Sequence, residues 1–289
     1  MDPDAGYPFD PAFPLLAACG RRSSAVIRPS ASLGSMTSDP APLPNAIRVS
    51  VCMASYRGAP FIAAQITSIL AELGGEDELV IVDDASPDNT VEIIKAVTDP
   101  RVRLIQSPQN RGYVRTFEAA ILASVGEYIF LSDQDDLWVP GRVKLMLEAL
   151  ESARMVATNF SMLDGGPRPW IPPLRSGMDS RTLANLFGIM VGYRAYYGCG
   201  MAFRRELVPV VTPIPAYVRE SHDLWFAICG NVDGSIVHLE APSLLRRLHD
   251  QNETPAGFRS LGRIAASRIM LARLIVEGRR RIRSTRRRS

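Results

Sequence analysis

The chain has 289 residues, of which 46% are hydrophobic and 22% charged, proportions that suit a globular protein with one sizeable core. The formal net charge is +3, but the last eleven residues, RRRIRSTRRRS, hold seven arginines and no acid; removing those seven charges leaves −4. A mildly acidic body argues against a protein whose main surface binds nucleic acid or another polyanion.

Cysteine and histidine spacing indicates neither a disulfide framework nor a structural zinc site. The four cysteines lie far apart without a CxxC pair, and the three histidines do not form an HExxH motif. A membrane-spanning helix needs roughly 18 uninterrupted apolar residues, and the nearest candidate, LANLFGIMVGYRAYYGCGMAF, is broken by Asn185 and Arg194. The start of the chain lacks the order of a signal peptide, so the sequence predicts a cytoplasmic protein.

Residues 1–45 are rich in Pro, Ser and Ala and show neither hydrophobic period. This composition predicts a disordered N-terminal extension. Met36 lies shortly before the first strand-like segment and is a second possible start of translation.

From Ile47 onward, short β-branched segments alternate with segments whose apolar residues repeat at three and four positions. The strand-like segments are IRVSVCMA, ELVIVDD, RVRLIQS and EYIFLSD, and a helical pattern follows each of them. Strands that are apolar nearly throughout are typical of a parallel sheet covered on both faces. The pattern predicts an α/β fold of the doubly wound type.

The alternation stops after MVATNF, and residues 164–178 form a loop dense in Gly and Pro. Beyond it we predict strands at CGMAFRR, SIVHL and SLLRRL, and a helix at HDLWFAICGN. The segment from Phe258 to Arg283 is helical in pattern and increasingly basic. No role is assigned to the insertion that contains GIMVGYRAYYG beyond shaping one side of a site.

Ligands of an open α/β sheet bind beyond the carboxyl ends of its strands. Polar or aromatic groups follow three of the predicted strands, in ASYR (54–57), DDASPDNT (83–90) and SDQDD (132–136). A GxGxxG or GxxxxGK[ST] loop does not occur after any strand, and NRGY (110–113) is the nearest substitute for an anion-binding turn.

The two groups of acids have different interpretations. Asp83 and Asp84 could form a turn and lead into a helix cap, or they could face a ligand. Asp133, Asp135 and Asp136 would repel one another and raise each other's pKa unless a cation compensates. Mg²⁺ or Mn²⁺, shared with substrate phosphates, explains such a cluster, and a solvated acidic turn is the alternative.

Seven segments occur together in the order, and with approximately the spacing, of a known family. They are VSVCMASYRG, VIVDDASPDNT, NRGYVRTFEAA, GEYIFLSDQDDLW, GCGMAFRREL, ESHDLW and RRLHDQNET. The chain thereby resembles the inverting nucleotide-sugar glycosyltransferases of family 2, most closely the bacterial rhamnosyltransferase-type members, over roughly residues 47–254.

The resemblance implies the GT-A fold, with a Rossmann-like, mostly parallel sheet flanked by helices and a smaller mixed portion on the acceptor side. We accordingly expect a nucleotide-sugar-binding half at 46–160 and an acceptor-side half at 161–257, together forming one glycosyltransferase domain (46–257). A C-terminal helix and basic tail would occupy 258–289.

The resemblance also implies roles on the donor side. Ala54 and Tyr56 would line the nucleotide pocket, with Tyr56 near the base, and Asp84 would contact a pyrimidine ring. Asp133 would face the ribose or the metal. Asp135 would be the main ligand of Mg²⁺ or Mn²⁺, which bridges to the diphosphate.

Two further segments carry implied donor contacts. Arg111, in NRG, is a candidate for substrate or phosphate contact. RRLHDQNET resembles a segment that closes over the donor diphosphate, in which Arg247 would bind phosphate and His249 would complete the metal shell or bond a phosphate oxygen. A surface loop after an edge strand is the alternative for this segment.

Inversion requires a base that deprotonates the acceptor hydroxyl on the face opposite the leaving group. Asp223 of ESHDLW takes that position in the family pattern, and Glu220 is the alternative. His222 would orient the loop, and Trp225 would either pack in the core or support the acceptor.

The sequence therefore predicts a metal-dependent glycosyltransferase that moves a sugar from dTDP-rhamnose or a UDP-hexose to a saccharide or lipid-linked glycan in cell-surface polysaccharide synthesis. A Mg²⁺-dependent nucleotidyltransferase is one alternative, but MASYRGAPF supplies little of the loop that would hold a triphosphate. The other is a non-enzymatic binder of polyanions or membrane surfaces through the C-terminal arginines, which leaves the acids unexplained. We expect the tail to be an accessory that holds the enzyme at the inner face of the plasma membrane.

Overall fold

The structure, a computed structural model, describes residues 47–166, 172–194, 196–248 and 261–287. The predicted extension at residues 1–45 lies outside the described residues, and so does His249.

Eight strands of the described residues form one sheet. They are β1 (Val49–Ser55), β2 (Glu78–Asp83), β3 (Val102–Gln106), β4 (Tyr128–Ser132), β5 (Leu137–Trp138), β6 (Met155–Met162), β7 (Met201–Arg204) and β8 (Ile236–Arg246). The helices of the same residues are α1 (Ile62–Leu70), α2 (Thr90–Lys95), α3 (Tyr113–Ala123), α4 (Arg142–Ser152), α5 (Thr182–Val191), α6 (Val208–Val211), α7 (His222–Asp233) and α8 (Leu261–Arg286). The predicted α/β fold is confirmed.

The strand order is β3-β2-β1-β4-β7-β6-β8-β5. The first four strands are parallel, β7 runs antiparallel to both β4 and β6, and β8 is parallel to β6. The carboxyl ends of β1, β2, β4 and β8 therefore reach one edge of the sheet, and β7 begins at that edge. This edge, which we call the site edge, is where a sheet of this kind binds ligands.

The core lies on both faces of the sheet, because successive strand residues point in opposite directions. In β1, Cys52 faces the layer that contains Phe117 of α3, whereas Val51 and Met53 face the layer that contains Ile66 of α1. All seven residues of β1 are buried, as expected for a strand covered on both sides.

The prediction of separate strands at SIVHL and SLLRRL was wrong, since both belong to β8. The register between β6 and β8 shifts on both sides of Asn159, which pairs with Pro242. A proline cannot donate a ladder hydrogen bond and is accommodated at such an irregularity. The Asn159 amide nitrogen donates to the carbonyl of Glu240 (3.0 Å) and so satisfies backbone that the irregularity leaves without a strand partner.

Three elements were absent from the sequence-based expectations: β5, α5 and the four-residue helix α6. β5 has only two residues, which pair antiparallel with β8, and a segment this short has no detectable period. α5 lies in the insertion that we left without a role. In the part of the chain that the structure describes, no helix has both the length and the apolar sequence that crossing a bilayer requires.

Candidate active site

The polar segments after β1, β2 and β4 meet at the site edge because these three strands are neighbours in the sheet. The main chain joins two of them directly: the N–H of Asp84 donates to the carbonyl of Ser55 (2.8 Å). Ala54, predicted to line the nucleotide pocket, is the penultimate residue of β1 and is largely buried.

Asp84 is buried and binds the turn that opens α3. One carboxylate oxygen accepts the N–H of Arg111 (2.9 Å), and the other accepts the N–H of Gly112 (2.8 Å). Gly112 has a φ of 82°, a conformation that favours glycine. The structure thus brings Asp84 and Arg111 together, although the contact of Asp84 with a pyrimidine stays a prediction.

Asp83, the neighbouring acid, forms the turn that was one of its two interpretations. Its carboxylate accepts the N–H of Ser86 (2.9 Å) and the Ser86 hydroxyl (2.5 Å). The Ser86 hydroxyl in turn accepts the N–H of Arg57 (3.0 Å), so the turn after β2 also fixes the loop after β1.

Tyr56, in the loop after β1, is 37% exposed at the site edge. The Arg57 guanidinium lies 5.3 Å from the centre of its ring. The main chain of Tyr56 forms two hydrogen bonds with the side-chain amide of Gln134, from the acid-rich loop. The sequence pattern had given no reason to assign a role to Gln134, the residue between Asp133 and Asp135.

Three non-glycine residues of the described chain have positive φ, and each lies beside a candidate site residue. Arg57 (52°) follows Tyr56, Ala85 (59°) follows Asp84, and Ser221 (60°) precedes α7. Such conformations cost about 1–3 kcal/mol each and cluster at functional sites.

The loop after β4, which we call the acid loop (residues 133–136), is held in place by hydrogen bonds from α1. Gln65 of α1 is fully buried, and its amide donates to the Ser132 hydroxyl (2.7 Å) and to the carbonyl of Asp133 (3.1 Å). A helix of the core therefore fixes the position of the first acid.

One oxygen each of Asp133 and Asp136 and the sulfur of Cys199 lie within 4.8 Å of one another. The Oδ2 atom of Asp136 is buried without a hydrogen-bond partner among the described residues. Burial and the repulsion of Asp135 raise the pKa of Asp133 to about 6; burial and the repulsion of Asp133 and Asp135 raise the pKa of Asp136 to about 7.

These features fit a divalent cation, because a positive charge would remove the repulsion and give the orphaned oxygen of Asp136 a partner. The carboxylates suit Mg²⁺ or Mn²⁺, while burial keeps the Cys199 thiol protonated by raising its pKa. Asp135, the predicted main ligand, is not in this set of three, and its role in metal binding stays a prediction.

Arg246, at the end of β8, is a cation that lies among the acids. Its guanidinium lies 4.6 Å from the ring centre of Tyr197 and lowers the pKa of both Asp133 and Asp223. The sequence-based prediction named Arg247 and missed Arg246, which is the last residue of β8.

Arg247 instead forms hydrogen bonds with the acid loop. Its N–H donates to an oxygen of Asp136 (3.2 Å), and its Nε donates to the carbonyl of Asp135 (3.2 Å). Its guanidinium lies 5.2 Å from the ring centre of Phe61. The predicted contact of Arg247 with a donor phosphate stays a prediction.

Asp223, the candidate base, lies in the first turn of α7 and is partly buried. Burial raises its pKa to about 7; the N–H of Leu224 (2.8 Å) and Arg246 lower it, and Asp133 raises it further. Asp223 and Asp133 are 90 positions apart yet share one electrostatic environment. Glu220, the alternative base, is exposed.

The two ring residues beside Asp223 are part of the core. His222 stacks on Phe117, with 4.5 Å between ring centres, and burial lowers its pKa to about 3. Trp225 is fully buried and donates its indole N–H to the carbonyl of Val211 (2.8 Å). Of the two interpretations of Trp225, the structure supports core packing.

Solved structures with the same architecture define the class of fold. TarS of S. aureus in complex with UDP-GlcNAc has a TM-score of 0.60 at 17% identity, covering 80% of this chain and 66% of that chain. Glucosyl-3-phosphoglycerate synthase of Mycobacterium tuberculosis, in complex with Mn²⁺, UDP and glucosyl-3-phosphoglycerate, has a TM-score of 0.52 at 18% identity, covering 80% of this chain and 79% of that chain. The chain has the GT-A type of α/β fold.

Sequence comparison gives the family. The model of "Glycosyl transferase family 2" matches residues 50–211, more than half of the chain, and the protein belongs to that family. An uncharacterized glycosyltransferase of Nostoc sp. is 27% identical over 214 residues, 71% of this chain and 66% of that protein. The succinoglycan biosynthesis protein ExoO of Rhizobium meliloti is 40% identical over 105 residues, which are 36% of this chain and 30% of that protein. The matches thus span less than two thirds of these relatives.

Proposed function

We propose that the protein is a metal-dependent inverting glycosyltransferase of cell-surface polysaccharide synthesis. The observation that carries the proposal is the convergence of Asp223, Asp133 and Arg246 at the site edge. Tyr56 and Asp84 follow β1 and β2 at the same edge. A base with a pKa near 7 faces a cluster of acids suited to a cation and a diphosphate.

In the proposed reaction, Asp223 accepts the proton of an acceptor hydroxyl while the hydroxyl oxygen forms a bond to the anomeric carbon of the donor. The bond from that carbon to the diphosphate oxygen breaks, and the electron pair leaves with the diphosphate. Arg246 offsets the negative charge that develops there. A cation held by Asp133 and Asp136, with Asp135 as the predicted further ligand, would supply additional positive charge at the leaving group.

The donor is a nucleoside diphosphate sugar, and we favour a UDP-hexose over dTDP-rhamnose. TarS has been solved with UDP-GlcNAc, and a 28% identical relative of Escherichia coli is named for UDP-glucose and a GlcNAc-diphosphoundecaprenol acceptor, matching 40% of this chain and 44% of that protein. We accordingly propose a saccharide or lipid-linked glycan as acceptor. Association with the membrane through the C-terminal arginines stays a prediction.

The test is release of nucleoside diphosphate from UDP-glucose, UDP-GlcNAc, GDP-mannose and dTDP-rhamnose, each with Mn²⁺, with Mg²⁺ and with EDTA. We expect release from a UDP-sugar that needs a divalent cation and whose rate rises when a saccharide acceptor is added. Equal rates in Mn²⁺ and EDTA would remove the metal from the proposal, and no release from any donor with either metal would contradict the activity itself.

A further inference from the structure

Two helices carry most of the exposed large apolar side chains of the described residues. Seven of the eleven such side chains lie on α5, on the residues directly after it, or on α8. They are Leu183, Phe187, Val191, Tyr193, Ile264, Ile269 and Val276. Single exposed apolar residues are ordinary, but a concentration on neighbouring elements marks an interaction surface.

On α5 these side chains form a stripe. Leu183, Phe187 and Val191 are spaced by four residues, so they lie on one face of the helix, and they are 74%, 68% and 50% exposed. The opposite face is buried in the core through Leu186 and Ile189. The core therefore already holds α5 in place, and its outer apolar face has no function in packing the described part of the fold.

α8 adjoins this stripe. The two helices are in contact, and the guanidinium of Arg268 lies against the Cα of Gly192, directly after α5. α8 buries Leu271 and Leu274 against the core and exposes Ile269 (63%) and Val276 (68%) on its outer side.

The net charge of α8 and the residue after it is strongly positive. Residues 261–287 contain nine arginines and one acid, Glu277. Glu277 is paired with Arg280 and Arg281, both at 2.7 Å. The combination of apolar side chains with an excess of arginine is that of a helix lying in a membrane interface.

We propose that the outer faces of α5 and α8, which we call the α5–α8 surface, lie on an anionic lipid bilayer. The apolar side chains would enter the boundary of the acyl chains, and the arginines would contact lipid phosphates. A second copy of the chain fits less well, because a symmetric contact would bring two arginine-rich helices together. The proposal concerns a surface apart from the acid loop and does not depend on the identity of the donor.

The test is co-sedimentation of the full chain with vesicles of phosphatidylcholine and phosphatidylglycerol (3:1), against vesicles of phosphatidylcholine alone. We expect at least about tenfold tighter binding to the anionic vesicles, lost at high salt. The variant Leu183→Ser/Phe187→Ser/Val191→Ser should bind at least about tenfold more weakly, since three apolar side chains no longer enter the interface.

The matched control is Leu122→Ser/Val125→Ser, which replaces two apolar residues that are 61% and 59% exposed at the end of α3. It should bind vesicles like the parent. Both variants should release nucleoside diphosphate in the absence of vesicles at the parent rate, so loss of lipid binding is distinguishable from loss of the proposed activity. The proposal is overturned if the parent has no preference for anionic vesicles, if the control loses as much binding, or if the α5 variant only converts a dimer into a monomer.

Discussion

The side-chain amide of Gln134 holds the main chain of Tyr56 at both of its polar groups. The N–H of Tyr56 donates to Gln134 Oε1 (3.0 Å), and Gln134 Nε2 donates to the carbonyl of Tyr56 (2.8 Å). The two residues are 78 positions apart and belong to the loops after β1 and β4. One side chain therefore couples the loop after β1, which is predicted to bind the nucleobase, to the acid loop. A Cβ on Gly58 would lie 2.2 Å from Gln134 Oε1, so a larger residue there would displace the Gln134 amide.

Replacing Gln134 by alanine should weaken donor binding more than it slows the reaction. Loss of two hydrogen bonds worth about 1 kcal/mol each frees the Tyr56 loop, so the KM for donor should rise about tenfold or more with a smaller change in kcat. Gly58→Ala should have the same effect, because its methyl group would displace Gln134. Steady-state kinetics with a UDP-sugar measures both, and a fall in kcat at unchanged KM would show that Gln134 does not act through donor binding.

Asp223→Asn should lower kcat by about 10²–10⁴, the usual contribution of a general base. Because Asp223 must be ionised to accept a proton, the rate of the parent should rise with pH through about 7, its pKa in the fold. Glu220→Gln is the matched control and should leave kcat within about twofold, since Glu220 is exposed. A large loss in Glu220→Gln together with near-normal Asp223→Asn would exchange their roles.

The sequence predicts the first half of the fold well because each strand and helix there has its own hydrophobic period. Polar residues at strand ends and the family pattern both point to Asp84 and Asp133, whereas Asp223, which lies in the first turn of α7, was predicted from the family pattern alone. β8 was divided in two because Ala241 and Pro242 interrupt its pattern, and only pairing with β6 keeps it continuous.

The contacts that the sequence could not supply depend on distant residues. Gln134 is notable only once Tyr56 lies beside it, and the sequence does not show that Arg246 lies among the acids while Arg247 bonds the main chain of the acid loop. Arg142 begins α4 as an ordinary polar residue, yet it is fully buried, donates to the carbonyl of Cys199 and lies 4.5 Å from the ring centre of Trp138.

The metal-free protein should lose stability as the pH rises from about 5 to 8. Burial and mutual repulsion raise the pKa of Asp133 to about 6 and that of Asp136 to about 7. These acids hold protons in the folded state that they release when unfolded, so stability is present below their unfolded pKa and is lost as the pH passes the folded values.

Thermal unfolding in EDTA at pH 5.5 and pH 8 checks this, with an expected fall in Tm of about 2 °C or more. Added Mn²⁺ should restore Tm at pH 8, because a cation compensates the ionised acids. Asp136→Asn should reduce both the pH dependence and the effect of Mn²⁺. If Tm in EDTA rises between these two pH values, the acids are not destabilising in their charged form.

Arg246→Ala should lower kcat/KM by about 10² or more, whereas Arg247→Ala should lower it less. Arg246 lies among the acids and is the proposed partner of the leaving diphosphate, while Arg247 bonds the main chain of the acid loop. Because Arg246 lowers the pKa of Asp223, its removal should also shift the rising limb of the pH–rate profile to higher pH.

Arg246→Lys should keep that limb in place while recovering only part of the rate, since an ammonium lacks the bidentate geometry of guanidinium. A profile unchanged in Arg246→Ala, with the larger loss in Arg247→Ala, would assign the diphosphate contact to Arg247 instead.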